Sequence, residues 1–385
     1  MEPIHITTPS STLLARVKMM VPPMLEKFHK GQLGRVAVIG GSAEYETLYM
    51  SDVQPPSDLI KVIQERPIFQ QWLLLGCDMS HVICEKSAAP VIKAYSPNLM
   101  VHPILPSSAS VASEEEKDSD SLASPILDML PRLHVLVIGP GLGRDGVTQK
   151  VVEAVMTEAR KQSVPFVLDA DGLMLVTQNP DLVRGYKECI LTPNVVEFGR
   201  LAKALGIQVS SQGDIEKKET GSSKEDKTSQ ASEACEKLAR ALGGVTIIQK
   251  GPQDIISNGV TSIISDIEGG RKRSGGQGDT LTGSLGTFLA WRSAYLNGLW
   301  DTAEKPSERV AESKNEIRDE LEDNSKKMSS TTTLLLAAYA GSALTRDCSR
   351  RAFKAKGRSM QASDLTDEVH ESFLHLIGEP EQSKL

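Results

Sequence analysis

The sequence predicts an α/β fold with a mostly parallel central sheet and helices on both of its faces. Two observations carry that expectation. Short apolar runs end in Gly, Asp or Pro and lead into segments of helical spacing, and these pairs recur along the chain without an internal repeat. The runs are also apolar throughout rather than alternating, as strands covered on both faces must be.

The first run is Arg35–Ile39, closed by Gly40-Gly41-Ser42. A second, 134–138, is closed by Gly139-Pro140-Gly141-Leu142-Gly143, after which Val147, Val151, Val152, Val155 and Ala159 recur at helical spacing. Residues 164–168 lead into Asp169-Ala170-Asp171-Gly172. Cys189–Leu191 leads into Thr192-Pro193-Asn194 and a helix through Leu205, and 245–249 leads into Lys250-Gly251-Pro252. Residues 255–264 break the pattern: two apolar segments flank Asn258-Gly259, the strongest signal for a two-residue hairpin turn. Segments 281–291, 333–348 and 365–377 read as helices.

The 385 residues, 39% of them apolar, suffice for one large core, and a single domain over 1–385 is expected. Three polar stretches, 107–121, 210–232 and 304–330, cannot bury enough apolar area to offset their ordering entropy and read as disordered insertions. A net charge of -7 and 4% aromatics argue against a nucleic-acid surface. The five cysteines are scattered, odd in number and form no Cys-x-x-Cys pair, so buried free thiols in a reducing compartment are expected rather than disulfides or zinc ligands. Glu2 and the lack of a long apolar start argue against a secretory signal, and Leu334-Leu335-Leu336-Ala337-Ala338 is too short to span a bilayer. The expectation is a cytoplasmic protein with neither membrane nor nucleic-acid partners; a mitochondrial pool and a homo-oligomer stay open. His81, His102 and His134 lie in or beside apolar stretches and read as core histidines rather than metal ligands.

The stretch richest in chemistry is Gly269-Gly270-Arg271-Lys272-Arg273-Ser274-Gly275-Gly276-Gln277-Gly278-Asp279-Thr280, followed by an apolar helix. Glycines let backbone N–H groups approach an anion, and the helix aims its positive dipole end at the same place. That combination suits a transferring phosphoryl group. Asp279 at the mouth could take a proton from an attacking hydroxyl. The bland reading is a flexible glycine loop with a solvated basic flank. Elsewhere, too, a plainer role competes: Asp169 and Asp171 as helix caps, Lys250 as a solvated lysine, Asn194 as a turn residue, Gly139 to Gly143 as a tight turn.

Gly-Gly-x-Gly-Asp opening a helix resembles the ribokinase-superfamily signature. The fuller run from Glu268 to Asp279 resembles the ATP-dependent NAD(P)H-hydrate dehydratases, as do His29-Lys30-Gly31-Gln32-Leu33-Gly34-Arg35, Val38-Ile39-Gly40-Gly41-Ser42, Ala88-Ala89-Pro90-Val91-Ile92-Lys93, 137–144, 168–173, Leu191-Thr192-Pro193-Asn194 and Lys250-Gly251. The order holds from about Ser11 to Gly378. The resemblance implies a ribokinase-like fold, ATP and Mg2+ as cofactors, and hydrated NADH or NADPH as substrate. It implies substrate contacts at Gly141, at Asn194, Val195, Val196, Glu197, Phe198, Gly199 and Arg200, and at Asp279, with Glu197 also able to order water around a metal. It implies ATP contacts at Lys250, Gly251, Pro252, Gln253 and Asp254 and at Gly269, Gly270, Arg271, Lys272, Arg273, Ser274, Gly275, Gly276, Gln277 and Gly278, with Asp279, Gly276 and Gly278 catalytic.

One segment departs from that family. Residues 47–74 carry Pro55, Pro56 and Pro67 where the family has a small-residue helix near the substrate, as a translated intron in the gene model would produce. An inactive nucleotide-binding homologue is the alternative this segment favours. A superfamily kinase for a sugar, hydroxymethylpyrimidine or pyridoxal is the other.

Overall fold

The computed structural model describes residues 3–42, 75–111, 118–208, 224–300 and 327–380. Among them nine strands form one sheet in the order β3-β2-β1-β4-β5-β6-β7-β8-β9. These are β1 (Arg35–Ile39), β2 (Met79–Ile83), β3 (Met100–His102), β4 (Val135–Ile138), β5 (Phe166–Leu168), β6 (Cys189–Leu191), β7 (Thr246–Gln249), β8 (Asp254–Ser257) and β9 (Ser262–Ser265). Strands β1 to β7 pair in parallel, and β8 and β9 are antiparallel additions at one edge. The predicted mixed sheet is therefore present, and β2 and β3 extend it beyond the strands read from the sequence.

Burial follows the period-2 geometry of a pleated strand. Val36 and Val38 of β1, with Val135 and Val137 of β4, enter one core, while Ala37, Ile39, Leu136 and Ile138 enter the other. The second core is covered by α3 (Ser119–Leu127), α4 (Gly146–Lys161), α5 (Asp171–Gln178), α6 (Val195–Ala204) and α7 (Lys224–Ala241), and the first by α1 (Ser10–Lys18), α2 (Ala89–Tyr95), α8 (Gln277–Leu296) and α9 (Ser330–Lys356). Helix α4 buries one stripe, Thr148, Val151, Val152, Val155, Met156 and Ala159, as an outer helix does. Helix α8 is buried almost all round because it lies between the sheet and α9. Two short helices, α10 (Ala362–Asp367) and α11 (Val369–Leu376), stand where one was expected, meeting at Glu368.

The hairpin differs from its prediction. Ser257 pairs with Ser262, so the loop has four residues, not two. Asn258 takes over the turn: its Oδ1 accepts from the N–H groups of Val260 and Thr261 at 3.0 and 2.8 Å. The expected insertions are partly ordered at their ends. Asp118 caps α3, residues 224–232 belong to α7, and Ser329 caps α9. Residues 112–117, 209–223 and 301–326, and residues 43–74 with the whole divergent stretch 47–74, lie outside the described residues.

All five cysteines are buried and free, as expected. Burial pushes the thiols of Cys77, Cys84, Cys235 and Cys348 up to about 12, which keeps them protonated and unreactive. His81 and His102 stack at 5.3 Å with Nδ1 and Nε2 3.0 Å apart, and no trio of metal-ligating side chains occurs among the described residues. Among those residues no helix is long and apolar enough to cross a membrane.

Candidate functional site

The strand order reverses between β1 and β4, and the loops leaving their carboxyl ends meet there. Such switch points are where open α/β sheets hold ligands. The N–H groups of Gly41 and Ser42 donate to Gly141 O at 2.7 and 2.9 Å. A Cβ at Gly40 would lie 1.9 Å from Pro140 O, so only glycine lets the two loops touch. Gly141 is thus at the switch point. The glycine loop is a junction between two loops rather than a plain tight turn.

The next strand places Asp169 at its carboxyl end. This carboxylate is 4% exposed and accepts from Lys250 Nζ at 2.8 Å. The cap reading of Asp169 and Asp171 is not what the structure has. Ala170 occupies the N-cap of α5 without a side-chain bond, at φ 47. Asp171 accepts from Gly143 N at 3.1 Å and lies 3.8 Å from Arg144 Nε. The two carboxylates therefore point their bonds in different directions, one to Lys250 and one to the glycine loop. Lys250 is not merely a solvated strand end, since its side chain is only 24% exposed and is paired.

Asn194 is the N-cap of α6 in a reciprocal capping box. Its Oδ1 accepts from Val196 N and Glu197 N at 2.9 and 3.0 Å, and Glu197 Oε2 accepts from Asn194 N at 2.8 Å. Burial pushes the Glu197 carboxyl up, Asp169 adds to that, and Lys250 and Arg200 oppose it, so these groups share one electrostatic site. Val195 and Val196 stay 41% and 60% exposed on the first turn of α6, leaving two apolar surfaces at the rim.

Helix α8 begins at the glycine run. Gly276 is its N-cap at φ 83, and no side chain caps the helix. A Cβ at Gly278 would come within 2.9 Å of Asp169 Oδ2, so the first turn of α8 lies against the Asp169–Lys250 pair. A cavity of about 1030 Å³ opens beside it. It gathers Asn194, Val195, Val196, Glu197 and Arg200 with 250–254, with Gly269, Gly270, Arg273 and Ser274, and with Gln277 and Gly278.

Several expected residues stand elsewhere. Phe198 is 1% exposed in the second core, because it lies on the face of α6 turned to the sheet. Gly199, Arg271, Gly275 and Gly276 are exposed and outside that lining. Lys272 is spent on structure, its Nζ donating to Met360 O at 2.5 Å. Asp254 lines the cavity, yet its carboxylate accepts from Ser342 Oγ, Gly251 N and Arg346. Gly141 and the half-buried Asp279 are not among this cavity's lining residues, whereas 194–200, read as bordering the dinucleotide, share it with the residues read as binding ATP. The lining also includes Thr345, Arg346 and Ser349 of α9 and Leu365 of α10, which sequence reasoning missed. Arg346 had one visible signal: with Asp347 it is a charged pair inside an otherwise uncharged helical run, 333–348.

Comparison with known proteins agrees with the resemblance seen in the sequence. A family model described as NAD(P)H-hydrate dehydratase matches residues 72–371. The chain is 67% identical over 382 residues to an ATP-dependent (S)-NAD(P)H-hydrate dehydratase of Emericella nidulans, covering 99% of this chain and 98% of that one. It is 37% identical to the protein of that name from Rattus norvegicus, over 97% of this chain and 88% of the other. Among solved structures, a ribokinase-like superfamily protein from Enterococcus faecalis aligns with TM-score 0.59 at 17% identity, over 98% of this chain and 100% of that one. An ADP/ATP-dependent NAD(P)H-hydrate dehydratase from Bacillus subtilis, crystallised with ATP and Mg2+, aligns with TM-score 0.54 at 16% identity, over 94% and 97%. At such identities these two structures establish the ribokinase-like fold alone.

Proposed function

The chain belongs to the NAD(P)H-hydrate dehydratase family, and from that premise we propose that it uses ATP to dehydrate the S epimer of hydrated NADH and NADPH, giving NAD(P)H, ADP and phosphate. One observation of this chain supports the reading above the others: the uncapped first turn of α8, packed against the Asp169–Lys250 pair and opening on a cavity large enough for a nucleotide. An uncapped helix start offers unpaired N–H groups and the positive dipole end to a phosphoryl group.

The chemistry needs an activated leaving group, because hydroxide leaves poorly. The hydroxyl oxygen of the hydrated ring attacks the terminal phosphorus of ATP, the bond to ADP breaks, and Asp279 takes the hydroxyl proton. The ring nitrogen's lone pair then expels phosphate, and loss of a proton from the neighbouring ring carbon restores the double bond. In this reading the N–H groups at Gly276 to Gly278 hold the transferred group, Lys250 and Arg273 face the phosphates, and Val195 and Val196 offer apolar contact to a ring. The hydrated dinucleotide lies at the switch point by Gly141. Glu197 is the lining carboxylate suited to order water around Mg2+, which would take most of its ligands from phosphate and water oxygens. Mg2+ would neutralise charge on the phosphates when bound.

The reading treats 1–385 as one catalytic domain, and the buried free thiols support a reducing compartment such as the cytoplasm. The test is ATP-dependent recovery of reduced-nicotinamide absorbance from hydrated NADH or NADPH by the purified chain. Recovery with stoichiometric ADP is the expected result. ATP turnover on a sugar or pyridoxal alone would replace the reading with a kinase, and ATP binding without turnover would leave an inactive homologue.

A further inference from the structure

Arg346 places a guanidinium in the middle of α9, between the buried Leu344 and Cys348, with its own side chain 11% exposed. A cation so placed is costly unless its donors are taken up. Here three carbonyls and a carboxylate take them. Nε donates to Ile267 O at 2.5 Å, Nη1 to Gly251 O at 3.3 Å and to Asp254 Oδ1 at 3.1 Å, and Nη2 to Pro252 O. Asp254 is held in turn by Ser342 Oγ of the same helix at 2.7 Å and by Gly251 N at 3.0 Å.

The acceptors belong to two separate stretches of chain. Gly251 and Pro252 join β7 to β8, Asp254 opens β8, and Ile267 follows β9 just before Gly269 and Gly270. Both stretches line the cavity, and they run on from the β8–β9 ladder, whose last pair is Asp254 with Ser265. Beyond that last pair, the Arg346 side chain bonds both cavity walls. Its charge is matched by Asp254, so its effect on a bound anion is carried by the walls it holds. A lysine could not reproduce this, because an ammonium is a single point of donation where Arg presents a planar fork.

We infer that Arg346 is the positioning residue for ATP, acting through the 251–254 and 267–270 walls, and not through the hydrated dinucleotide. The inference rests on the reading of this cavity as the ATP site. The experiment compares full-length wild type with Arg346→Gln and Arg346→Lys, measuring ATP binding by calorimetry, steady-state constants for both substrates, and unfolding temperature. In Arg346→Gln the Kd and KM for ATP rise about 10- to 100-fold, the loss expected for one or two charge-assisted hydrogen bonds. The KM for the hydrate and kcat at saturating ATP stay within about twofold of wild type, and Arg346→Lys restores only part of the ATP affinity. Unchanged ATP affinity overturns the inference, as does a parallel loss of both affinities and kcat that tracks loss of folded protein. If Arg346→Gln does not fold, Ser342→Ala carries the test, since it frees only one oxygen of Asp254. A rise in the KM for ATP of about two- to fivefold with the fold intact supports the role, and no rise refutes it. Wild type that binds no ATP would sink the reading of the cavity itself, whereas wild-type binding with indifferent variants sinks this inference alone.

Discussion

The two ends of α8 are built on opposite rules. At its amino end Gly276 caps nothing with a side chain, the first turn is half-exposed, and a cavity lies beside Gln277 and Gly278. Towards its other end Arg292 is 2% exposed and each of its guanidinium nitrogens has a partner. Nη1 and Nη2 donate to the two oxygens of Glu188 at 2.5 and 2.9 Å, Nε donates to Thr333 Oγ1 at 3.0 Å, and Nη2 also reaches Ser330 O and Oγ. One end keeps backbone donors available to a ligand. The other end gives every guanidinium nitrogen a partner and ties the helix to Glu188, just before β6, and to the start of α9. Unsatisfied polar groups at a cavity are a resource for binding, while the same groups in a core are a cost.

Substitutions at the two ends should separate activity from stability. Asp279→Asn should retain ATP binding and unfolding temperature while turnover falls roughly 10²- to 10⁴-fold, the range for removing a general base. Full turnover by that variant would remove Asp279 from the mechanism. Gly278→Ala pushes a methyl to within 2.9 Å of Asp169 Oδ2. Turnover should fall about 100-fold through displacement of the phosphoryl site by a fraction of an ångström to an ångström, with the fold preserved. Calorimetry showing normal ATP affinity and kinetics showing normal turnover would mean that the turn has slack.

At the other end Arg292→Met should leave both KM values unchanged and cost about 2–3 kcal/mol of stability in urea unfolding. The figure sits at the low side for a broken buried pair because Glu188, with 27% of its side chain exposed, can rehydrate. An altered KM with unaltered stability would reverse the comparison. The smallest effect belongs near the β3 edge of the sheet, away from both ends. Burial, with His102, Arg132 and Arg35 nearby, pushes the imidazole of His81 down to about 4 from an ordinary 6.5. The unfolded chain then holds more protons between those values, so this contribution is complete above about 6.5 and is lost as pH falls towards 4. His81→Gln should flatten the dependence of the urea midpoint on pH in that window. An unchanged slope would assign it to other groups.

The parallel strands and the glycine-opened helix were legible because both are local patterns. Apolar runs of four or five residues, a hairpin signal and Gly-Gly-x-Gly-Asp are written in neighbouring letters. The structure departs from those patterns for two different reasons. Asn258 lengthened the hairpin loop through a local competitor, its own side chain, whereas Phe198 turned into the core by a non-local demand, because α6 had to cover the sheet.

The amino-acid sequence by itself determined the α/β class, the free thiols, the family and most of the stretches that line the cavity, because periodicity, composition and ordered motifs survive without coordinates. Only the tertiary structure decided that Asp169 meets Lys250 across 81 residues of chain, that Arg292 closes on Glu188, and that Arg346 spans two cavity walls. The physical reason is that charge pairing in a low-dielectric interior depends on distances of a few ångströms. Those distances are set by how the helices pack on the sheet, not by the separation of residues along the chain.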